Sequence, residues 1–361
     1  MATEILPDDP ALRFGRRQRA FEQMEAHDLD VLVMGRTANM RYVSGVPLLW
    51  NAGTRPFGPG CVAVRATGDV YLLSTWDEGV PEEIPHENLY GITWNPMNYV
   101  KMLKGINANV EPRRVGTDAM SPLFAQLLPM AFPDAELVDA GPAIQAAKRV
   151  KTAEEIEAIR AAVAVADACI GAAISQLQPG VSERELTAVF MDAMASRGVT
   201  TPGSQDVARV TSRRRDGAVR DGDLVCFSGG VVAEGYTGEV GRTWPVGEAS
   251  HDAFARFDAL RGRLLDACQP GASGSALLDA YAAAGEPLPA GPVARGLGLG
   301  FDDPVIVGDL PATAAHTRLE PGTVMVVTVQ AGPVIGQEPV VISAEGPHVL
   351  SSSPFWNADR S

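Results

Sequence analysis

The sequence predicts two domains, an α/β domain over residues 1–145 and an α+β domain over residues 146–361. Short apolar strands alternate with helical stretches as far as about Ala140, which is typical of an α/β domain. A capped helix then begins near Lys151, and the strands that follow it are entered from glycine turns. With 361 residues, the chain is long enough for two such domains.

The first domain opens with a predicted amphipathic helix between Leu12 and Leu29, in which Phe14, Phe21 and Met24 recur at helical spacing. The apolar run at residues 30–34 predicts a strand. Two further strands are expected at residues 61–64 and 70–73. The Gly-Asp pair between them signals a hairpin turn.

Two helices with matching caps open the second domain. Thr152 with Glu155 forms a capping box for the first helix, and Ser182 with Glu185 repeats the signal for a second helix at residues 183–197. Strands are then expected at residues 222–227 and 321–327. Their similar form suggests two related halves that contribute strands to one curved sheet.

Charge and composition limit the classes of partner. The chain carries 30 Lys and Arg against 44 Asp and Glu, a net charge of -14. Such a surface repels phosphate backbones and anionic lipids, so we expect no nucleic-acid and no membrane partner. Asp167 interrupts the most apolar run, the cysteines form no Cys-x-x-Cys pair, and the N-terminus lacks signal-peptide features. These features predict a cytoplasmic protein.

Five motifs in chain order resemble the creatinase/prolidase/aminopeptidase P family of M24-type peptidases. They are residues 39–45 (NMRYVSG), 151–160 (KTAEEIEAIR), 222–225 with 235–236 and 242–243, 321–322 (PG) and 346–350 (GPHVL). The resemblance implies an α/β N-terminal domain plus an α+β pita-bread C-terminal domain, as in creatinase. It also implies a homodimer in which the N-terminal domain of one chain lies near the cleft of the other.

The dimer implied by the resemblance makes the loop at residues 48–57 a candidate for substrate recognition. Its Trp50 and Arg55 are candidate substrate-binding residues. The alternative is a surface loop stabilised by its own aromatic side chains.

Peptide-cleaving members of the family hold two divalent cations with two Asp, one His and two Glu. The equivalent positions here are Ser228, Glu239, Arg295, Thr328 and Gln337, with Gln330 and Glu338 as the nearby alternatives to the last two. Two dications need several anionic oxygens, and an arginine cannot give up its proton to ligate a metal. We therefore expect no metal ion and no other cofactor. The family's proton-shuttling histidines fall on Thr211 and Phe301.

Creatinase works without a metal, so the resemblance still implies chemistry in the cleft of the C-terminal domain. The catalytic candidates are Glu239, Arg295, Asp302 and Glu338. The substrate-binding candidates in this domain are Arg242, Tyr236, Ser228 and Gln337. A desolvated carboxylate among them can act as acid or base, and the guanidinium groups can clamp a substrate carboxylate.

The sequence thus predicts a metal-independent hydrolase, or a lyase, that cleaves a C–N bond of a small polar molecule. Two alternatives stay open. In one, Glu239 and Arg295 only neutralise each other, and the protein is an inert scaffold that binds a ligand or partner. In the other, the chain is an Xaa-Pro peptidase with an atypical metal site.

Overall fold

The chain divides between Lys148 and Arg149 into an N-terminal and a C-terminal unit. The computed structural model describes residues 10–46, 60–93, 95–118, 121–213, 217–248, 251–300, 302–308 and 317–356. Within these ranges, no helix is long and apolar enough to cross a membrane.

The N-terminal unit is an α/β domain around a six-stranded sheet. Its helices are α1 (Pro10–Ala26), α2 (Thr37–Ser44), α3 (Pro96–Val110), α4 (Pro122–Ala131) and α5 (Gly141–Arg149), with a short 3-10 helix at His86–Asn88. Its strands are β1 (Val31–Met34), β2 (Cys61–Val64), β3 (Val70–Leu73), β4 (Leu89–Tyr90), β5 (Arg114–Thr117) and β6 (Glu136–Asp139). The strand order is β4-β3-β2-β1-β5-β6, with β1, β5 and β6 parallel.

Local signals placed the hairpin and the first helix of this unit well. Strands β2 and β3 pair antiparallel, and Gly68 between them has a φ of 73° that suits a residue without a side chain. In α1 the buried residues follow a four-residue step from Leu12 through Arg16 to Met24. Phe14, one of the apolar residues at the predicted helical spacing, is 70% exposed and does not belong to this buried face.

The C-terminal unit is an α+β domain around a nine-stranded sheet. Its helices are α6 (Ala153–Ile174), α7 (Glu183–Ala195), α8 (His251–Ala267) and α9 (Ser275–Ala284). Its strands are β7 (Thr201–Pro202), β8 (Ala208–Val210), β9 (Leu224–Ala233), β10 (Tyr236–Pro245), β11 (Ala294–Gly296), β12 (Asp302–Ile306), β13 (Val324–Ala331), β14 (Val334–Ser343) and β15 (Gly346–Val349). The strand order is β12-β11-β13-β14-β10-β9-β7, with β8 paired to β9 and β15 to β14.

Both predicted capping boxes are confirmed. The Thr152 side chain accepts from the Glu155 N–H at 3.2 Å, and the Glu155 carboxylate accepts from the Thr152 N–H at 3.1 Å. Ser182 and Glu185 make the same reciprocal pair at the start of α7. Each box satisfies two backbone donors that the first helical turn leaves without partners.

Three helices pack on one face of the large sheet. A Cβ added to Gly238, Gly229 or Gly336 would lie within 2.6 Å of atoms of α6, α7 or α8, respectively. The helices therefore approach the strands most closely where a glycine removes the side chain. We call this the helix-covered face. Residues one position away on the same strands point to the opposite face, which we call the inner face.

Candidate functional site

The inner face carries three of the positions that the family resemblance assigns to metal ligands. Ser228 on β9 pairs with Gly241 on β10, and Gly241 pairs with Gln337 on β14. Gln337 in turn pairs with Thr328 on β13. Directly paired residues of antiparallel strands point to the same face. Ser228, Gln337 and Thr328 therefore form one row across four strands.

The other two positions lie in the neighbouring row of the same face. Glu239 stands two residues before Gly241 on β10. Arg295 on β11 pairs with Val326, which stands two residues before Thr328 on β13. Because side chains alternate along a strand, a spacing of two keeps a residue on the same face. All five positions thus share the inner face.

A continuous set of hydrogen bonds joins four of these side chains, and we call this set the polar chain. The Ser228 hydroxyl donates to the Gln337 side-chain oxygen. The Gln337 amide nitrogen donates to Glu239 Oε1 at 2.8 Å. Arg295 Nη2 donates to Glu239 Oε2 and forms an ion pair with it. Both oxygens of the Glu239 carboxylate therefore accept a hydrogen bond.

The two charged members of the polar chain differ in exposure. The Glu239 side chain is 7% exposed, whereas the Arg295 side chain is 32% exposed. Burial lowers the pKa of Arg295, but an arginine starts so high that it stays cationic at neutral pH. The pair therefore joins a buried carboxylate to an arginine whose side chain is partly exposed.

The donors on this face do not fit a pair of divalent cations. Glu239 is the one carboxylate in the polar chain, and both of its oxygens are engaged by nitrogen donors. Arg295, at the position where the resemblance implies a histidine ligand, brings a positive charge. Across the described ranges, no three His, Cys, Asp or Glu side chains are grouped so that they could hold a metal ion.

Three predicted site residues point to the helix-covered face instead. Tyr236 donates its hydroxyl to Glu155 of α6 at 3.1 Å. Arg242 Nη1 lies 2.9 Å from Glu338 Oε1, and both side chains are 1% exposed. The expectation that Tyr236, Arg242 and Glu338 face the cleft with Glu239 does not match this placement. The reason is strand alternation, since odd spacings separate them from Glu239 and Gln337.

Arg242 and Glu338 instead form a buried structural network. Arg242 also donates to Ser351 Oγ at 2.8 Å, and its guanidinium lies 4.0 Å from the centre of the Phe355 ring. Arg261 of α8 donates to the other oxygen of Glu338 at 2.8 Å. Burial lowers the pKa of Arg242, and the Glu338 charge opposes that effect. The network ties β10 and β14 to α8 and to the segment that follows β15.

Asp302 is also placed apart from the polar chain. Its Oδ2 lies 3.1 Å from Lys151 Nζ, and the side chains are 1% and 0% exposed. A bulge in the pairing of β11 with β12 lies between Arg295 and Gly296, which shifts Asp302 relative to Arg295. The contact with Lys151 is a buried structural ion pair, so it gives no support to the catalytic role expected for Asp302.

The remaining predicted residues divide into those that the structure describes and those that it does not. Thr211 lies at a histidine position implied by the resemblance, and its backbone N–H donates to the Leu224 carbonyl at 2.9 Å. Trp50, Arg55 and Phe301 lie outside the described residues.

Sequence reasoning missed one charged residue on the inner face. Arg209 on β8 pairs with Cys226 of β9, and Cys226 pairs with Thr243 of β10. Cys226 stands two residues before Ser228, so Arg209 shares the face of the polar chain. Arg209 could have been found from the sequence, because it stands two residues before Thr211, a position that the resemblance assigns to a histidine.

Comparison with known proteins agrees with this two-domain architecture. A model described as metallopeptidase family M24 matches residues 157–345, and one for the creatinase/prolidase N-terminal domain matches residues 16–150. An uncharacterized hydrolase/peptidase of Sinorhizobium fredii, y4tL, is 25% identical over 305 residues, which cover 75% of this chain and 76% of that protein.

Solved structures show the same fold. The prolidase from Pyrococcus horikoshii superposes with a TM-score of 0.75 at 18% identity, over 94% of this chain and 99% of that one. The Xaa-Pro dipeptidase from Bacillus anthracis gives 0.75 at 17% identity, over 95% and 99%. The expected pita-bread fold is confirmed, and the family indicates a hydrolase. The chain therefore belongs to metallopeptidase family M24 and carries the family's creatinase/prolidase N-terminal domain.

Proposed function

We propose that this chain is a metal-independent hydrolase that cleaves a C–N bond of a small polar molecule on the inner face. The observation that carries the proposal is the Glu239–Arg295 pair, which occupies two of the implied metal-ligand positions with an acid/base group and a cation. The scaffold keeps a polar group at each of the five positions. Four of these polar groups are joined by hydrogen bonds, which favours a site that is kept for a different reaction.

The exposure of Arg295 suggests how substrate enters the site. The Arg295 side chain is 32% exposed, whereas the Glu239 side chain that it pairs with is 7% exposed. A substrate carboxylate can take over the donors of Arg295 in a bidentate pair. Glu239 Oε2 is then released from its hydrogen bond only when a substrate carboxylate is present. In this arrangement the substrate itself frees the base.

The released carboxylate then acts on water. Glu239 accepts a proton from a water molecule while the water oxygen bonds to the substrate carbon. The C–N bond breaks, and the same proton passes from Glu239 to the departing nitrogen. Water is consumed, one amine is released, and Glu239 returns to its ionised form. The Gln337 side chain keeps its hydrogen bond to Glu239 Oε1 throughout and fixes the orientation of the carboxylate.

Turnover assays in excess chelator test the proposal. Creatine, N-carbamoylglycine and glycylproline present a guanidino, a carbamoyl and a peptide C–N bond next to a carboxylate. We expect turnover of at least one of them to survive EDTA. Turnover that disappears with EDTA and returns with manganese or cobalt would overturn the proposal in favour of a metal-dependent Xaa-Pro peptidase.

Glu239→Gln provides the matching mutational test. The change keeps the shape of the side chain and removes its basicity, so kcat is expected to fall by about 10²- to 10⁴-fold. Glu157→Gln is the control, because Glu157 is an exposed residue of α6 that pairs with Arg160. Full activity of the Glu239→Gln variant, with the Glu157→Gln variant also normal, would remove Glu239 as the base.

A ligand-binding protein without turnover is the second candidate. Its specific support is that both oxygens of Glu239 already accept hydrogen bonds, as in a purely structural ion pair. This candidate predicts that one of the three probes raises the midpoint of thermal unfolding while no product forms. Product formation in the same sample excludes it.

A further inference from the structure

Arg209 is a second cation beside the polar chain. It lies on β8, next to β9, whereas Arg295 lies on β11, on the other side of β13. Burial raises the pKa of Cys226 to about 11, and the charge of Arg209 partly opposes that rise, as expected for close neighbours. Arg209 itself is exposed. The inner face thus carries one guanidinium near each end of the polar chain.

The distance from Arg209 to the polar chain is within reach of its side chain. Arg209 lies on the strand next to β9, and its partner Cys226 stands two residues before Ser228. This placement corresponds to about 8 Å between the Cα atoms of Arg209 and Ser228. An extended arginine side chain covers most of that distance. A ligand lying over Ser228 and Gln337 can therefore contact Arg209 at one end and Arg295 at the other.

The inner face is less negative than the protein as a whole. The strands β8 to β14 are fully described. Their charged side chains on the inner face are Arg209, Glu239, Arg295 and Asp303, which stands two residues before Val305, the partner of Arg295. Two cations and two anions leave no net charge on this face, whereas the protein carries a net charge of -14. Anions are therefore repelled less at this face than elsewhere on the surface.

We propose that the substrate is dianionic, with one carboxylate bound by Arg295 and a second anionic group bound by Arg209. This inference rests on the proposed function, because it assigns the first carboxylate to Arg295. The reacting C–N bond then lies between the two anionic groups, above Ser228, Gln337 and Glu239. A substrate with one carboxylate leaves Arg209 unused and binds more weakly.

Equilibrium binding to the full-length protein tests the second anionic contact without any need for turnover. Succinate and butyrate have the same number of carbon atoms, but succinate carries two carboxylates. Isothermal titration is expected to show that succinate binds about 10- to 100-fold more tightly than butyrate, the range for one added charge-assisted pair.

Variants at Arg209 identify the residue responsible. Arg209→Gln is expected to abolish the preference for succinate, and Arg209→Lys to retain part of it because the charge remains. Arg184→Gln is the control, since Arg184 is an exposed arginine on α7, which packs on the helix-covered face. The control variant is expected to bind both probes like the wild type.

Each other outcome overturns the inference. Equal binding of succinate and butyrate by the wild type removes the second anionic contact, and so does an unchanged preference in the Arg209→Gln variant. Failure of both probes to bind also overturns it. None of these results alters the chelator-resistant turnover expected above, so the two proposals fail separately.

Discussion

At the scale of single residues, the site depends on a missing side chain at Gly241. A Cβ there would lie 2.8 Å from the backbone nitrogen of Gln337 and 2.9 Å from its Cβ. These atoms belong to the paired strand, so they cannot shift without moving the Gln337 side chain. The glycine therefore lets β10 and β14 approach closely enough for Gln337 to reach both Ser228 and Glu239.

Gly241→Ala is expected to destabilise the protein by about 1–3 kcal/mol, because the added methyl group overpacks a strand contact. Denaturant unfolding measures this free energy. Gly262→Ala is the matched control, since Gly262 lies in α8 with nothing within 4 Å of an added Cβ. The control is expected to gain about 0.5–1 kcal/mol from helix propensity. Equal effects of the two changes would contradict the close-approach argument.

Strand alternation explains which of the predicted site residues share a face of the sheet. Gln337 and Glu338 are neighbours in sequence, yet one belongs to the polar chain and the other to the Arg242 network. An error of one residue in register exchanges the two faces. The same rule, applied to the odd spacings between Glu239 and Tyr236 or Arg242, would have separated them from sequence alone.

At the scale of elements, local signals predicted helices and hairpins, whereas long-range contacts were not predictable. The capping boxes of α6 and α7 and the β2–β3 hairpin depend on residues close in sequence, which is why their positions were correct. The Lys151–Asp302 pair joins residues far apart in the chain and depends on the bulge after Arg295. Nothing local in the sequence specifies that contact.

Asp167 shows how an interruption in an apolar helix can have a structural cause. It lies within α6 and is largely buried. Its carboxylate accepts hydrogen bonds from the backbone N–H and hydroxyl groups of both Ser352 and Ser353. Arg242 donates to the Ser353 carbonyl at 3.1 Å. Hydrogen bonds therefore hold the segment Ser351–Trp356 against α6 and β10.

Asp167→Asn is expected to lower the free energy of unfolding by about 1.5–3 kcal/mol, because hydrogen bonds to a charged acceptor are lost and an amide N–H₂ faces existing donors. Chemical denaturation checks the value. Glu157→Gln, on the exposed side of the same helix, is expected to change stability by less than about 0.5 kcal/mol. Equal stability of the Asp167→Asn variant and the wild type would show that the carboxylate does not hold the segment.

At the scale of the whole molecule, we expect a second chain to complete the site. The family resemblance implies a homodimer in which Trp50 and Arg55 of one chain lie near the cleft of the other, and both residues lie outside the described ranges. A closed two-fold dimer would repeat any such contact in both sites. Complementation between two inactive variants therefore tests the arrangement.

We expect the Glu239→Gln and Arg55→Ala variants each to be inactive alone. A one-to-one mixture of the two variants is expected to regain about a quarter of wild-type turnover. Half of the dimers are then hybrids, and each hybrid has one complete site. A mixture of Glu239→Gln and Arg295→Gln chains is the control, since both changes affect the same site and no hybrid has a complete one. If the first mixture stays inactive, Arg55 does not act on the partner's site.

The mutual dependence of the polar chain limits which single substitutions it can accept. A histidine in place of Arg295 alone would remove the cation from Glu239 and leave a buried charge without its counterion. An acid in place of Gln337 alone would set two anions side by side where an amide now donates. Each of these single changes is therefore expected to give a less stable protein. The donor set that the family resemblance implies would accordingly be reached only through several compensating substitutions.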